Sequence, residues 1–281
     1  MPKQPPIIIK ANGDRVRFDR SSLLTSLVRS GAPQELANSV TDKVSSDIVN
    51  GKTTTHDIYT TAYGLLKTMK YHPIAARYSL KKAIMELGPT GFPFEQFIGE
   101  ILKRQGYDVK VGVIVEGHCV PHEVDVVATK DDTHVFVEAK FHNQPGIHTD
   151  VKVPLYIHSR FLDIQKNLTK NGDTHTTHVP WIVTNTHFTT SAIDYGTCMG
   201  MTLIGWRYPE SGGIETMIEE AGLHPVTCLS SLTQKEKNLL LAKNIVLCRN
   251  LVETPSLLES VGLSTTKIGI VQKEAKLVCS L

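Results

Sequence analysis

Asp125, Glu138 and Lys140 are the residues of this chain whose types and spacing are best suited to chemistry. In a strand successive side chains alternate faces, so over residues 122–128 Val124, Val126 and Ala128 take one face while Glu123, Asp125 and Val127 take the other. In the next run, Val135, Val137 and Ala139 point one way, and Phe136, Glu138 and Lys140 the other. If the two runs pair as a hairpin through the polar turn Lys130-Asp131-Asp132 with their apolar faces together, two carboxylates and one ammonium converge. That set suits phosphodiester hydrolysis. Asp125 and Glu138 would be oxygen ligands for Mg²⁺ or Mn²⁺, whose remaining positions accept a phosphate oxygen and deliver a nucleophile. Lys140 would orient or help deprotonate the attacking water and offset charge developing on phosphorus. A further acid stands upstream. Phe94, Phe97, Ile98, Ile101 and Leu102 form one apolar arc of a helix, and Glu95 sits at its border, about 100° from Phe94, where it could reach inward.

The elements that must position these residues follow from the pattern around them. Beyond Gly91 come an apolar-striped helix, three strand-like runs at residues 109–115, 120–129 and 134–141, a helix near 151–168 and a strand at 181–184. Helices alternating with β-branched runs argue for an α/β layer with a mixed sheet. Ahead of it, Ile7-Ile8-Ile9-Lys10, the turn Ala11-Asn12-Gly13-Asp14 and Arg15-Val16-Arg17-Phe18 read as a hairpin. Helices then dominate: Asp19 to Ser22 offer N-caps, Leu36, Val40, Val44 and Ile48 recur every four residues, and caps at residues 53–55 precede Ile58, Ala62, Leu65 and Leu66. A last helix through Ala76, Tyr78 and Ile84 stops at Leu87-Gly88-Pro89, a Gly-then-Pro ending that marks a boundary. The tail from Thr233 is helical again, and Leu257 to Leu263 leading to Lys267 and Ile268 hints at a helix-hairpin-helix element. The expected fold class is therefore α/β and multi-domain: a mainly helical N-terminal domain with a β-hairpin (1–90), an α/β core with a mixed sheet (91–225) and a helical tail (226–281).

In the order Phe94-Glu95-Gln96, Gly106-Tyr107, His122-Glu123-Val124-Asp125 and Glu138-Ala139-Lys140, residues 91–208 resemble the PD-(D/E)xK nuclease superfamily, and within it the Mrr-type restriction endonucleases. The resemblance implies a restriction-endonuclease-like core and Mg²⁺-dependent DNA cleavage, with Asp125, Glu138 and Lys140 in the roles above and Glu95 as a lesser catalytic candidate. Residues 7–90 resemble the ATP-cone domain of ribonucleotide reductases and their transcriptional regulators, through Ile9-Lys10, Gly13, Phe18-Asp19, Leu24, Thr55, Asp57-Ile58 and Ala76-Arg77-Tyr78. This second resemblance implies binding of an adenine nucleotide, ATP or dATP, with a regulatory role and with Lys10, Arg15 and Thr55 as its contacts. No GxxxxGK[ST] loop occurs, so ATP would be an effector and not a fuel.

Composition excludes more than it assigns. The content of 41 % hydrophobic and 21 % charged residues excludes a disordered or fibrous chain. No run of about 18 apolar residues and no secretory start is present, so the expectation is a cytoplasmic protein with no membrane partner. Five cysteines without a CxxC suit reduced thiols. His118-Cys119 with His122, and His175 with His178, only faintly suggest metal spacing. Lys and Arg number 13 against 7 acids in residues 1–90 and 7 against 4 in residues 226–281, but 10 against 17 between them. An acidic middle fits a DNA-binding enzyme if several of its carboxylates hold divalent cations. Tyr156, Arg160 and Gln165, near helical spacing, could line the cleft. Cutting both strands of DNA favours two sites related by a twofold axis, hence a homodimer. Two rival readings are a non-catalytic, nucleotide-sensing DNA-binding regulator and a structure-selective repair or junction nuclease.

Overall fold

The computed structural model describes residues 4–11, 13–173 and 175–279. Near the N-terminus β1 (Ile7–Ile9) and β2 (Arg15–Arg17) pair antiparallel with Ile8 opposite Val16; Asn12 of the expected turn lies outside the described residues. Asp19 accepts from the Ser21 N–H and starts α1 (Arg20–Arg29), which is followed by α2 (Gln34–Asp47). Of the expected caps at residues 53–55, Thr54 is the one used: its hydroxyl and the Asp57 carboxylate satisfy each other's backbone N–H groups at the start of α3 (Thr55–Thr68). The single helix expected through Ala76 and Ile84 is two, α4 (His72–Tyr78) and α5 (Leu80–Met85). The break falls at Ser79, whose hydroxyl donates back to the Ala76 carbonyl at 2.7 Å and competes with the regular ladder. Buried residues of the hairpin and α1 to α4, among them Phe18, Leu27, Val40, Ala62 and Leu66, form one apolar cluster.

The rest of the chain is built on a five-stranded mixed sheet. After α6 (Phe92–Arg104) come β3 (Asp108–Glu116), β4 (Pro121–Lys130) and β5 (Thr133–Lys140). The short β6 (His148–Thr149) leads to α7 (Lys152–Lys170) and β7 (Thr177–Thr184), and β8 (His187–Phe188) to α8 (Thr190–Cys198), β9 (Thr202–Ile204) and α9 (Ile214–Ala221). Strand order is β3-β4-β5-β7-β9, the first two pairings antiparallel and the last two parallel. A parallel neighbour cannot be reached by a tight turn, and α7 is the crossover that carries the chain from β5 to β7. The apolar arc of α6 is fully used: Phe94, Phe97 and Ile101 have no exposed surface.

The C-terminal segment does not stand apart from this core. A 3₁₀ turn at Val226–Cys228, then α10 (Gln234–Ala242), α11 (Cys248–Glu253), α12 (Ser256–Glu259) and α13 (Thr265–Cys279) bury Val226, Leu251, Leu258, Val271 and Val278 in the cluster that holds Phe94, Val137 and Trp206. Ala83 and Ile84 of α5 join it as well. Polar ties follow the same path: Thr227 Oγ1 donates to the Ala83 carbonyl, and Arg77 Nη2 to the Leu277 carbonyl. The chain is thus a mixed α/β protein, and no helix among the described residues is long and apolar enough to cross a membrane.

Candidate active site

Asp125 and Glu138 meet because of strand register. β4 and β5 pair from Lys130↔Thr133 to Val126↔Val137, so the next two residues across the pair are Asp125 and Glu138. There the backbone ladder stops and the Asp125 carboxylate takes over, accepting the Ala139 N–H at 2.7 Å. Strict alternation, as read from the sequence, holds for Val126 and Ala128 but not for Val124, which packs with Phe136, Phe161 and Ile164 on the α7 side of the sheet. The reason lies in the partner strand. Between Val111↔Val126 and Val113↔Val124, β3 carries Gly112 at φ +65°, a left-handed kink that only glycine makes without strain.

The resulting cleft, of about 290 Å³, is lined by Pro121, His122, Glu123, Asp125, Glu138, Tyr156 and Arg160. Arg160 Nη1 donates to Glu138 Oε2 at 3.0 Å, and the guanidinium lies over the Tyr156 ring at 5.4 Å. Of the helix residues proposed from spacing, Tyr156 and Arg160 line the cleft and Gln165 does not. Lys140, two residues beyond Glu138, is exposed at the end of β5. Past it the chain is fixed by Asn185, which has no exposed surface: its Oδ1 accepts the His142 N–H at 2.8 Å and its Nδ2 donates to the His142 carbonyl at 2.7 Å. Nothing in the sequence pattern marked Asn185. The Phe141 ring sits 5.6 Å from that of Phe94, which ties α6, and hence Glu95, to this end of β5.

The electrostatics are those of crowded, partly dehydrated carboxylates. Burial raises the pKa of Asp125, opposed by the Ala139 N–H and the charges of Arg160 and Lys140. Burial and then the Asp125 charge raise Glu138, again opposed by Arg160 and Lys140. Glu95 is pushed up to about 7 by burial and then by Asp125, Glu123 and Glu138. A carboxyl whose folded-state pKa lies above its unfolded value keeps its proton longer in the folded chain. Stability therefore falls as pH rises from about 4.5 through about 7 and is level beyond. In metal-free solution Glu95→Gln is expected to raise stability by about 1–2 kcal/mol at pH 8, allowing for solvent screening, and to leave it unchanged at pH 4. Urea unfolding across that range checks the expectation, and a pH-independent difference would contradict it.

The other residues suggested by spacing are placed differently. His122 Nε2 and Asp163 Oδ2 are 2.9 Å apart, and Asp163 also accepts the Cys119 N–H, so His118, Cys119 and His122 belong to a clamped turn and not to a metal centre. The His122 hydrogen bond, ahead of the others, holds Asp163 down at about 2. Gly117 is obligatory in that turn, because a Cβ there would collide with the Asp163 carboxylate and the Val120 carbonyl. In the N-terminal part Arg15 pairs across from Ile9, Lys10 follows it, and Ile9 bridges to Thr54 next to Thr55, so all three residues border the same end of the hairpin. A cavity of about 220 Å³ in that part is lined by Asp47, Lys52, Thr53 and Asp57 with apolar neighbours, and none of Lys10, Arg15 or Thr55 takes part.

Comparison with known proteins gives this geometry relatives. The family model described as AF1548-like, C-terminal, matches residues 224–279, the segment of the tail helices. An uncharacterized protein of Archaeoglobus fulgidus is 39 % identical over 181 residues, which span 64 % of this chain and 99 % of that protein. The crystal structure of a protein of unknown function, AF1548, superposes with a TM-score of 0.56 at 37 % identity, covering 68 % of this chain and 98 % of that one. At that identity over nearly the whole length of its relatives, the chain belongs to the AF1548-like family.

Proposed function

We propose that this protein is a metal-dependent DNA endonuclease acting through Asp125, Glu138 and Lys140. One observation carries the reading: Asp125 and Glu138 come next in register on paired strands at an open polar cleft whose far wall supplies Arg160, and Lys140 lies two residues further along β5. The donor set fits Mg²⁺ or Mn²⁺, since both candidate ligands are hard oxygens already held partly dry, and the Asp125 charge destabilises that of Glu138. Asp125 and Glu138 would hold the ion, and Glu95, whose carboxyl their charges push up, would be a further acid beside them. When bound, the ion supplies Lewis-acid activation of the phosphate and an acidified water. The chain's own residues do the rest. Ala139 N–H fixes one oxygen of Asp125, a residue that lines the cleft. Arg160 neutralises Glu138 in the resting site and stands ready to pair with a phosphate oxygen. Lys140, exposed at the end of β5 and close enough for its charge to act on Asp125 and Glu138, would orient the nucleophile and offset charge developing on phosphorus.

In this reading the N-terminal part is an ATP-cone-like module through which ATP or dATP adjusts cutting, with Lys10, Arg15 and Thr55 at the nucleotide, and the active species is a homodimer in the cytoplasm. The test is cleavage of plasmid, methylated and branched DNA with Mg²⁺ or Mn²⁺, with and without ATP or dATP. Metal-dependent cutting supports the endonuclease, and a preference for branched DNA makes it a junction or repair enzyme. DNA binding tuned by nucleotide without cutting under any condition replaces it with the non-catalytic regulator.

A further inference from the structure

His134 and His178, second residues of β5 and β7, are partners in parallel register, their ring centroids 5.3 Å apart. Asp173, in the connection from α7 to β7, brings its Oδ2 to 3.4 Å from His178 Nε2. One ligand atom from each of the three lies within 4.8 Å of the others, the one such cluster of three among the described residues. A second, independent observation points to a ligand there. The His178 side chain is only 4 % exposed, and neither of its ring nitrogens has a hydrogen-bond partner. A buried imidazole without partners is costly, and native structures rarely leave one unexplained. The 3.4 Å separation is long for a hydrogen bond, which runs to about 3.2 Å. It equals the spacing of two tetrahedral ligands on one ion: bonds of about 2.0–2.1 Å place their ends roughly 3.3–3.4 Å apart.

We infer that His134, Asp173 and His178 form a site for a transition-metal dication of the Zn²⁺ class. Two imidazoles and one carboxylate suit Zn²⁺, Co²⁺ or Ni²⁺, whereas Mg²⁺ prefers an all-oxygen shell. The site is separate from the cleft: His134 lies four residues before Glu138 on the same strand, roughly 13 Å away at strand rise. Three protein ligands leave a fourth position for water. The ion clips the starts of β5 and β7 to the loop after α7, and therefore braces the crossover that delivers Arg160. Sequence spacing paired His178 with His175, but His175 is exposed and the fold supplies His134 and Asp173 instead. The inference is independent of the proposed nuclease activity.

The experiment strips the full chain with chelator and titrates it with Zn²⁺, and separately with Co²⁺, following stoichiometry by calorimetry, the visible absorption of Co²⁺ and the melting temperature. One tightly held ion per chain is expected, ahead of any ion at the carboxylate cleft, with a rise in melting temperature and a Co²⁺ spectrum of imidazole coordination. Even the outer partners of a ligating histidine are worth roughly 10–100-fold in affinity, so His134→Gln and Asp173→Asn should each weaken binding by about 100-fold or more. Both positions are partly exposed, and circular dichroism verifies that the variants fold. Asp125→Asn removes a ligand of the cleft and should leave the Zn²⁺ affinity of this tight site unchanged. Absence of stoichiometric binding, or binding weakened by Asp125→Asn but not by His134→Gln or Asp173→Asn, overturns the assignment.

Discussion

Asp125→Asn is expected to lose at least 10²–10³-fold of DNA cleavage, the usual cost of deleting one preorganised electrostatic contact, while the protein folds at least as stably as wild type. The two halves of that expectation come from the same atoms. The amide keeps an oxygen to accept the Ala139 N–H, so the junction of β4 and β5 is preserved. It removes a charge that burial penalises and that lifts both Glu138 and Glu95. Stability at pH 8 should therefore rise by about 1 kcal/mol, because a partly dehydrated charge has been replaced by a neutral isostere. Lys140→Ala is expected to lose a similar factor in turnover. It should also flatten the salt dependence of DNA affinity by about one phosphate contact, which Asp125→Asn should not do. Single-turnover cleavage, urea unfolding and salt-dependent binding on the three proteins separate these effects. Full activity in Asp125→Asn would remove Asp125 from the chemistry, and a folding defect in it would make the residue structural.

Glu274→Ala is expected to cost about 2–3 kcal/mol of stability. The carboxylate, 7 % exposed on α13, accepts the Ser230 N–H at 2.9 Å, the Ser230 hydroxyl at 2.7 Å and the Ser231 N–H at 2.9 Å. Its removal strands two backbone donors in the turn that leads into α10, beside the buried Leu229 and Leu232. Glu274→Gln keeps one acceptor oxygen and should lose about half as much. Urea unfolding followed by the fluorescence of Trp206, which lies in the same apolar cluster, reports the difference. A change below about 0.5 kcal/mol in the alanine variant would show that the Glu274 carboxylate does not hold this turn.

What the sequence determined by itself is what local periodicity controls. The two-residue alternation of strands places Glu138 and Lys140 on one face whatever surrounds them, and the 3.6-residue repeat of Phe94, Phe97, Ile98, Ile101 and Leu102 defines the buried arc of α6. The mixed α/β class follows from the same patterns. Tertiary structure decided everything that needed a partner distant in sequence. Val124 crosses to the α7 side because Gly112 kinks the neighbouring strand, and no pattern within residues 121–130 contains that information. Arg160 reaches Glu138, and Asn185 locks His142, only once the crossover has laid β7 beside β5. The same parallel pairing brings together His134 and His178, 44 positions apart, and its loop adds Asp173. Short-range sterics and solvation act on neighbours along the chain, whereas pairing register and crossover placement are set by burial of the whole sheet between α6 and α7.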